Sequence, residues 1–215
     1  MKKNLTKEQI VETTLKLICD KNDLRGLNLR QIARTLGCAH TNLYNYFPSY
    51  NELLWETHMA IQRIFMEMLI EKINMARKAE EKLTYFFQAF AEMYINNKGW
   101  FWLSWHEHID ESRPQKDVEL LEQINQKMNQ IICEIWKEIY GQSPDEEKTK
   151  RVLHNTHCYI LGEISNHLLG RGLIEKEDDL IDYIEREATG MFRLCLAGSY
   201  SEESLGNRVD NYRRV

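Results

Sequence analysis

The chain of 215 residues carries a formal charge of −5, is 43% hydrophobic and 28% charged, and holds only three prolines and ten glycines. That balance excludes disordered, collagen-like and disulfide-dense proteins, and the length suits one or two domains with ample chain for a core. The five cysteines are odd in number and form no CxxC pair, which argues for a reducing compartment. Neither a signal-peptide-like apolar core nor a run of membrane-spanning length occurs, so the expected location is the cytoplasm with no membrane partner. Charge is unevenly spread: residues 1–50 hold eight Lys/Arg against four acidic residues, a local +4 that leaves −9 for the rest. A basic end on an acidic body suits a head that binds a polyanion.

In chain order, Thr6 with Gln9 forms a capping-box start. Ile10, Leu15, Leu17 and Ile18 then give an apolar side to a first helix predicted over about Lys7 to Cys19. Asn28 caps a second helix, Leu29 to Leu36, which Gly37 stops. A third, His40 to Tyr46, begins almost at once. Pro48 discourages its continuation, and Ser49 with Glu52 opens a long fourth helix reaching about Arg77. Two short helices joined by so tight a turn must cross steeply; Ala33 is small at the crossing, and Ile32, Leu36 and Leu43 supply the apolar contact beneath it. This is a helix-turn-helix pattern. In such a unit the second helix enters the major groove, and its outward residues should form hydrogen bonds. His40, Thr41, Asn42, Tyr44, Asn45 and Tyr46 meet that requirement.

The remaining chain reads as further helices without strand-like alternation. They are predicted over Glu80 to Asn96, Trp100 to Asp110 and Lys116 to Tyr140, the last with a near-heptad seam from Leu121 to Ile139. Ser143, Pro144 and Glu146 open an eighth helix running to Leu169, and the ninth spans Glu177 to Leu196. The expected fold is therefore all-α, about nine helices. It divides into a head over 1–49, a helical body over 50–197 and a weakly ordered tail over 198–215. The last two long helices carry apolar residues on more than one side, which implies a homodimer through a two-fold four-helix interface.

Residues 6–54, with the first helix, LRQIARTLG and the NLYNYF run leading into SYNELL, resemble the tetracycline-repressor-like (TetR) transcriptional regulators. The resemblance implies a three-helix DNA-binding head, a helical domain for ligand binding and dimerisation, and a homodimer on a palindromic double-stranded operator. It implies that Tyr44 and Tyr46 meet the sugar-phosphate backbone and that Arg30 reaches the groove. His40, Thr41 and Asn45 become candidates for base edges, and Asn42 for bases or phosphate. Ala39 stands where the family often has a capping serine, and Tyr50 where it usually has a phosphate-binding lysine. Loss of that cation should weaken salt-dependent binding unless Lys2 or Lys3 compensates.

The body is dense in aromatic residues, and Phe90, Tyr94, Trp102, Trp105, Trp136 and Tyr159 are candidates to line the pocket that the resemblance implies. The function expected is a ligand-responsive repressor released from its operator by a small apolar or aromatic effector of unknown identity. The alternative is a metal-dependent helical enzyme or metal sensor using His106 and His108, or His154, His157 and Cys158, whose side-chain types suit zinc. His106 and His108 point to different sides of a helix, and no phosphate loop, nucleophile elbow or HExxH motif is present. Neither a metal, a cofactor nor catalysis is therefore expected.

Overall fold

Helix α1 (Lys7–Lys21) starts where its cap dictates. Thr6 Oγ1 accepts a hydrogen bond from the Gln9 amide and the Gln9 side chain accepts one from the Thr6 amide, both at 3.2 Å. The computed structural model describes residues 5–198, and among them the chain forms nine helices and no strand. The tail beyond Gly198 lies outside the described residues, as do Lys2 and Lys3.

Helix α2 (Leu29–Leu36) is capped by Asn28, whose side chain accepts from the Gln31 amide at 3.1 Å. It ends at Gly37, with φ 69°, where the Cys38 amide reaches back to the Ala33 carbonyl at 3.0 Å. A residue with a Cβ is strained in that left-handed conformation, and glycine is not. The third helix, His40–Asn45, is a 3-10 turn rather than the α-helix expected. Ala39 supplies no side-chain cap, and the Asn42 amide bonds the Ala39 carbonyl three residues back at 3.0 Å. A segment this short, uncapped and followed by Pro48, lacks the length to propagate α-helical bonding.

Helix α3 (Tyr50–Met75) opens on the Ser49 cap and runs from the head into the body. Helix α4 (Ala79–Asn96) buries most of its circumference, with Leu83, Phe86, Phe87, Phe90, Met93 and Tyr94 all inside and a half-exposed stripe through Glu81, Tyr85, Gln88 and Glu92, and it contacts α3 and each of the four helices after it. Helix α5 (Lys98–Trp105) stops five residues before the expected Asp110. The His106 and Glu107 amides both close onto the Trp102 carbonyl, and a non-helical segment follows to Pro114. Helices α6 (Gln115–Tyr140), α7 (Glu146–Leu168) and α8 (Glu177–Ala197) complete the body. Asp145, rather than Ser143, caps α7, because its carboxylate accepts from the Lys148 amide at 2.7 Å.

One hydrophobic core runs without a break from head to body, through Ile10, Ile18, Ile32, Leu43 and Phe47 into Leu53, Ile61, Phe86 and Phe101. The buried hydroxyls of Thr14, Thr57, Thr149 and Thr156 each donate to the carbonyl one turn earlier in their own helix, at 2.6 to 2.9 Å. The head docks on α5 through Trp100, whose indole N–H donates to the Leu15 carbonyl at 3.1 Å, and Cys19, whose thiol reaches the Asn97 side chain at 3.3 Å. Between these contacts Gly99 lies so close to α1 that a Cβ there would sit 2.3 Å from the Ile18 carbonyl oxygen. Gly99→Ala should destabilise the protein by roughly 1–3 kcal/mol, because backbone rather than a pliable side chain must move. Urea unfolding of the two proteins measures the difference.

Candidate nucleic-acid interface and sensor cavity

The 3-10 helix is held by a single buried residue of its own, Leu43, which leaves the other side chains free to face outward. Arg30, His40, Thr41, Asn42 and Asn45 are exposed, and Tyr44 is 50% exposed. None of the six side chains bonds or pairs with another group among the described residues. Tyr46 departs from the expected set: it is half-buried, and its hydroxyl donates to the Leu5 carbonyl at 2.6 Å, tying the approach to α1 onto the end of the 3-10 helix. Tyr50 turns toward the body and packs against the core. Burial, and then the nearby Glu107 charge, push its hydroxyl pKa up to about 12, so it presents a neutral phenol.

Behind the head, α3 and α6 share a buried polar cluster that periodicity cannot reveal. His58 Nδ1 lies 2.7 Å from Asp117 Oδ1, Arg113 Nε donates to Asp117 Oδ2 at 2.5 Å, and Gln62 Nε2 approaches His58 Nε2 at 3.4 Å. Asp117 is only 1% exposed. Burial alone would raise its pKa, but the hydrogen bonds and charges of His58 and Arg113 outweigh this and hold the carboxyl below its ordinary value. A carboxylate on the first turn of α6 is thus a buried polar tie between that helix and α3, beside the more exposed Lys116–Glu56 ion pair.

A cavity of about 270 Å³ opens between α4, α6 and α7, lined by Phe90, Met128 and Leu153 with Asn125, Asn129, Lys150, His154 and His157. Of the six aromatic residues expected at a ligand site, only Phe90 lines it. Trp105 lies one layer away, its ring 5.1 Å from that of His157 in an edge-on arrangement, and Tyr94 lies behind Trp105 at 6.2 Å. Trp102 packs on His106, Trp136 on Tyr140 and Phe192, and Tyr159 is half-buried on α7. On a helix such as α4, most of whose circumference is buried, apolar periodicity does not mark which side borders a cavity.

The histidine groups are dispersed. His157 is wedged between Phe90 and Trp105, at 4.8 and 5.1 Å, whereas His154 sits beside Cys158, with Nε2 3.6 Å from Sγ. His106 stacks on aromatic rings, and His108 is 3.7 Å from Asp110 at the surface. Among the described residues no three His, Cys, Asp or Glu side chains converge as a metal site would require.

No family model and no curated protein matches the sequence. Solved structures match the fold across most of the chain. The regulator FadR of Bacillus subtilis, crystallised with stearoyl-CoA, is 17% identical, with a TM-score of 0.61 over 90% of this chain and 99% of that one. FadR of Bacillus halodurans, a fatty acid degradation regulator, is 15% identical, with a TM-score of 0.65 over 86% and 98%. The TetR-family regulator PfmR of Thermus thermophilus is 17% identical, with a TM-score of 0.52 over 88% and 97%. The fold is that of the TetR-family transcriptional regulators.

Burial, and then the neighbouring His154, lower the His157 pKa from 6.5 to about 4. The folded protein therefore keeps this imidazole neutral at a pH where the unfolded chain protonates it. Its contribution to stability is complete above about pH 6.5 and declines as pH falls toward 4. Between pH 7 and pH 5 that loss amounts to roughly 2 kcal/mol. The same pH change should cost a His157→Leu variant less by about that amount in urea unfolding.

Proposed function

We propose that the protein is a ligand-responsive transcriptional regulator, a homodimer that binds a palindromic operator and leaves it when an effector occupies the body. The observation that carries this reading is the unpartnered hydrogen-bonding surface of Arg30, His40, Thr41, Asn42, Tyr44 and Asn45 on a helix-turn-helix head of the TetR fold. Side chains with free donors and acceptors on a protruding element suit base edges and phosphates, which a merely solvated face does not need. Tyr46 is left out of the contact set, because its hydroxyl already donates to Leu5.

The dimer reading rests on α7 and α8. Leu194 is 76% exposed on α8 with Met191 one turn before it, and Gly162 and Gly190 leave open space beside their backbones. The strip of α7 beside them is small or polar, with Asn155, Cys158, Gly162 and Asn166, rather than apolar as its composition suggests. Small residues allow close helix approach, and the exposed leucine and methionine supply the apolar area a two-fold partner would cover. Among the described residues no helix is long and apolar enough to cross a membrane.

The effector site of this reading is the cavity between α4, α6 and α7. FadR of Bacillus subtilis holds stearoyl-CoA, which supports a small-molecule role for the body of this fold. Here α6 supplies Asn125, Met128 and Asn129 to the cavity and, at its first turn, Asp117 to His58 of α3. Helix α3 starts only five residues after the 3-10 helix ends. A ligand that shifts α6 therefore acts on α3 through a short polar tie and changes the separation of the two recognition elements. Successive major grooves require that separation to be about 34–36 Å. A ligand favouring another spacing releases DNA by reciprocal linkage.

Selection of bound duplexes from a random pool should yield a palindrome. Its affinity should fall with added salt and by roughly tenfold or more in Tyr44→Ala. Failure to enrich any sequence, or binding indifferent to Tyr44→Ala, would overturn the DNA-binding reading.

A further inference from the structure

We infer that the cavity between α4, α6 and α7 binds an uncharged aromatic molecule of one or two rings that carries a hydroxyl group. This inference deepens the effector reading above and rests on it for its regulatory meaning. Size sets the first limit. At about 270 Å³ the cavity exceeds the roughly 150 Å³ that encloses one benzene ring and falls short of the range of about 300–1,000 Å³ typical of larger ligands. Phe90, Met128 and Leu153 give it apolar walls suited to a flat ring, with the polarizable Met128 sulfur adaptable to its edge.

Polarity sets the second limit. Two lining residues have a buried side-chain atom without any partner: Asn129 Oδ1 and His157 Nε2. Asn129 is only 5% exposed. Both side chains lie in an interior where unmade hydrogen bonds are costly, and groups of this kind are normally satisfied by protein, water or ligand. A single hydroxyl both donates and accepts, so it can donate to Asn129 Oδ1 while accepting from His157 Nε2–H, the tautomer that this pairing selects. A purely apolar ring satisfies neither atom.

Charge sets the third limit. Lys150 is the only lining cation apart from the histidines, and its ammonium is already engaged by Glu146 and Glu147, at 3.1 and 2.8 Å. His157 is held neutral between the rings of Phe90 and Trp105, with its pKa lowered to about 4, and His154 beside it lies next to Cys158. The buried end of the cavity, between Phe90 and His157, therefore offers no positive charge to a carboxylate, sulfate or phosphate head, whose desolvation the apolar walls would not repay.

Isothermal calorimetry on the full chain without DNA at pH 7 provides the test, with 4-methylphenol, toluene, 4-methylbenzoate and a long-chain acyl-CoA as probes. The expected result is one 4-methylphenol per chain, bound at least about tenfold tighter than toluene or 4-methylbenzoate. The preference over toluene should vanish in Asn129→Leu and in His157→Leu, each checked for native helix content by circular dichroism. Equal affinity for toluene, binding of the anionic probes alone, or unchanged preference in both folded variants would overturn the inference. Should 4-methylphenol bind as described yet leave the operator complex intact, the site stands and the sensor reading fails. Should another molecule release the operator while 4-methylphenol does not bind, the sensor stands and this chemical class fails.

Discussion

The approach of Gly99 to the Ile18 carbonyl is the constraint on which the rest of the molecule depends. Helix α1 belongs to the head, α5 to the body, and no side chain fits between their backbones at this point. The two adjoining contacts, Trp100 to the Leu15 carbonyl and Cys19 to Asn97, fix the direction as well as the distance of the approach. The head is therefore seated on the body, not hung from the start of α3 alone. The exposed polar residues of the head thereby have a placement relative to the body that this contact defines.

The body is organised around α4, and its polar groups follow two opposite patterns. Asp117 is buried with its carboxylate answered on both oxygens, by His58 and Arg113. A buried charge so paired is costly to disturb, since removal of either neighbour leaves one carboxylate oxygen without its partner. Asn129 and His157 are buried with atoms unanswered. The first arrangement holds two helices in register; the second leaves hydrogen-bonding capacity in the interior. Both occur on or against α6, about three turns apart, so one rigid rod carries the site of unused capacity and the tie to α3.

Much of the fold was legible because caps and breakers act locally. Thr6 with Gln9, Asn28, Ser49 and Gly37 bound their helices at the expected residues, and the polar face of the 3-10 helix emerges from the placement of Leu43 alone. Misreadings arose where two local signals competed. Ser143 and Asp145 both offer a cap, and the stronger acceptor, nearer the helix, prevails. His40 to Tyr46 has helical composition but neither the cap nor the length for α-helical bonding. Tyr46 looks like its neighbour Tyr44 in sequence, and only the position of Leu5, 41 residues earlier, decides that its hydroxyl turns inward. The His58–Asp117 pair spans 59 residues, and the cavity draws on three helices. Nothing in a one-dimensional pattern aligns such groups. Of the six aromatic candidates Phe90 alone lines that cavity, because Tyr94 and Trp136 are spent on core packing and Trp105 lies toward the surface.

The threonines that bond within their own helices have a mechanical consequence. Thr14, Thr57, Thr149 and Thr156 bury hydroxyls in seams between helices, yet every one is satisfied by the turn beneath it. The seams themselves are left with dispersion contacts, which have no preferred direction and reform after a small slide. At these four positions the hydroxyls add no cross-link between one helix and the next. Directional cross-links between helices are carried instead by a few other side chains, such as Trp100 to Leu15, Cys19 to Asn97 and His58 to Asp117.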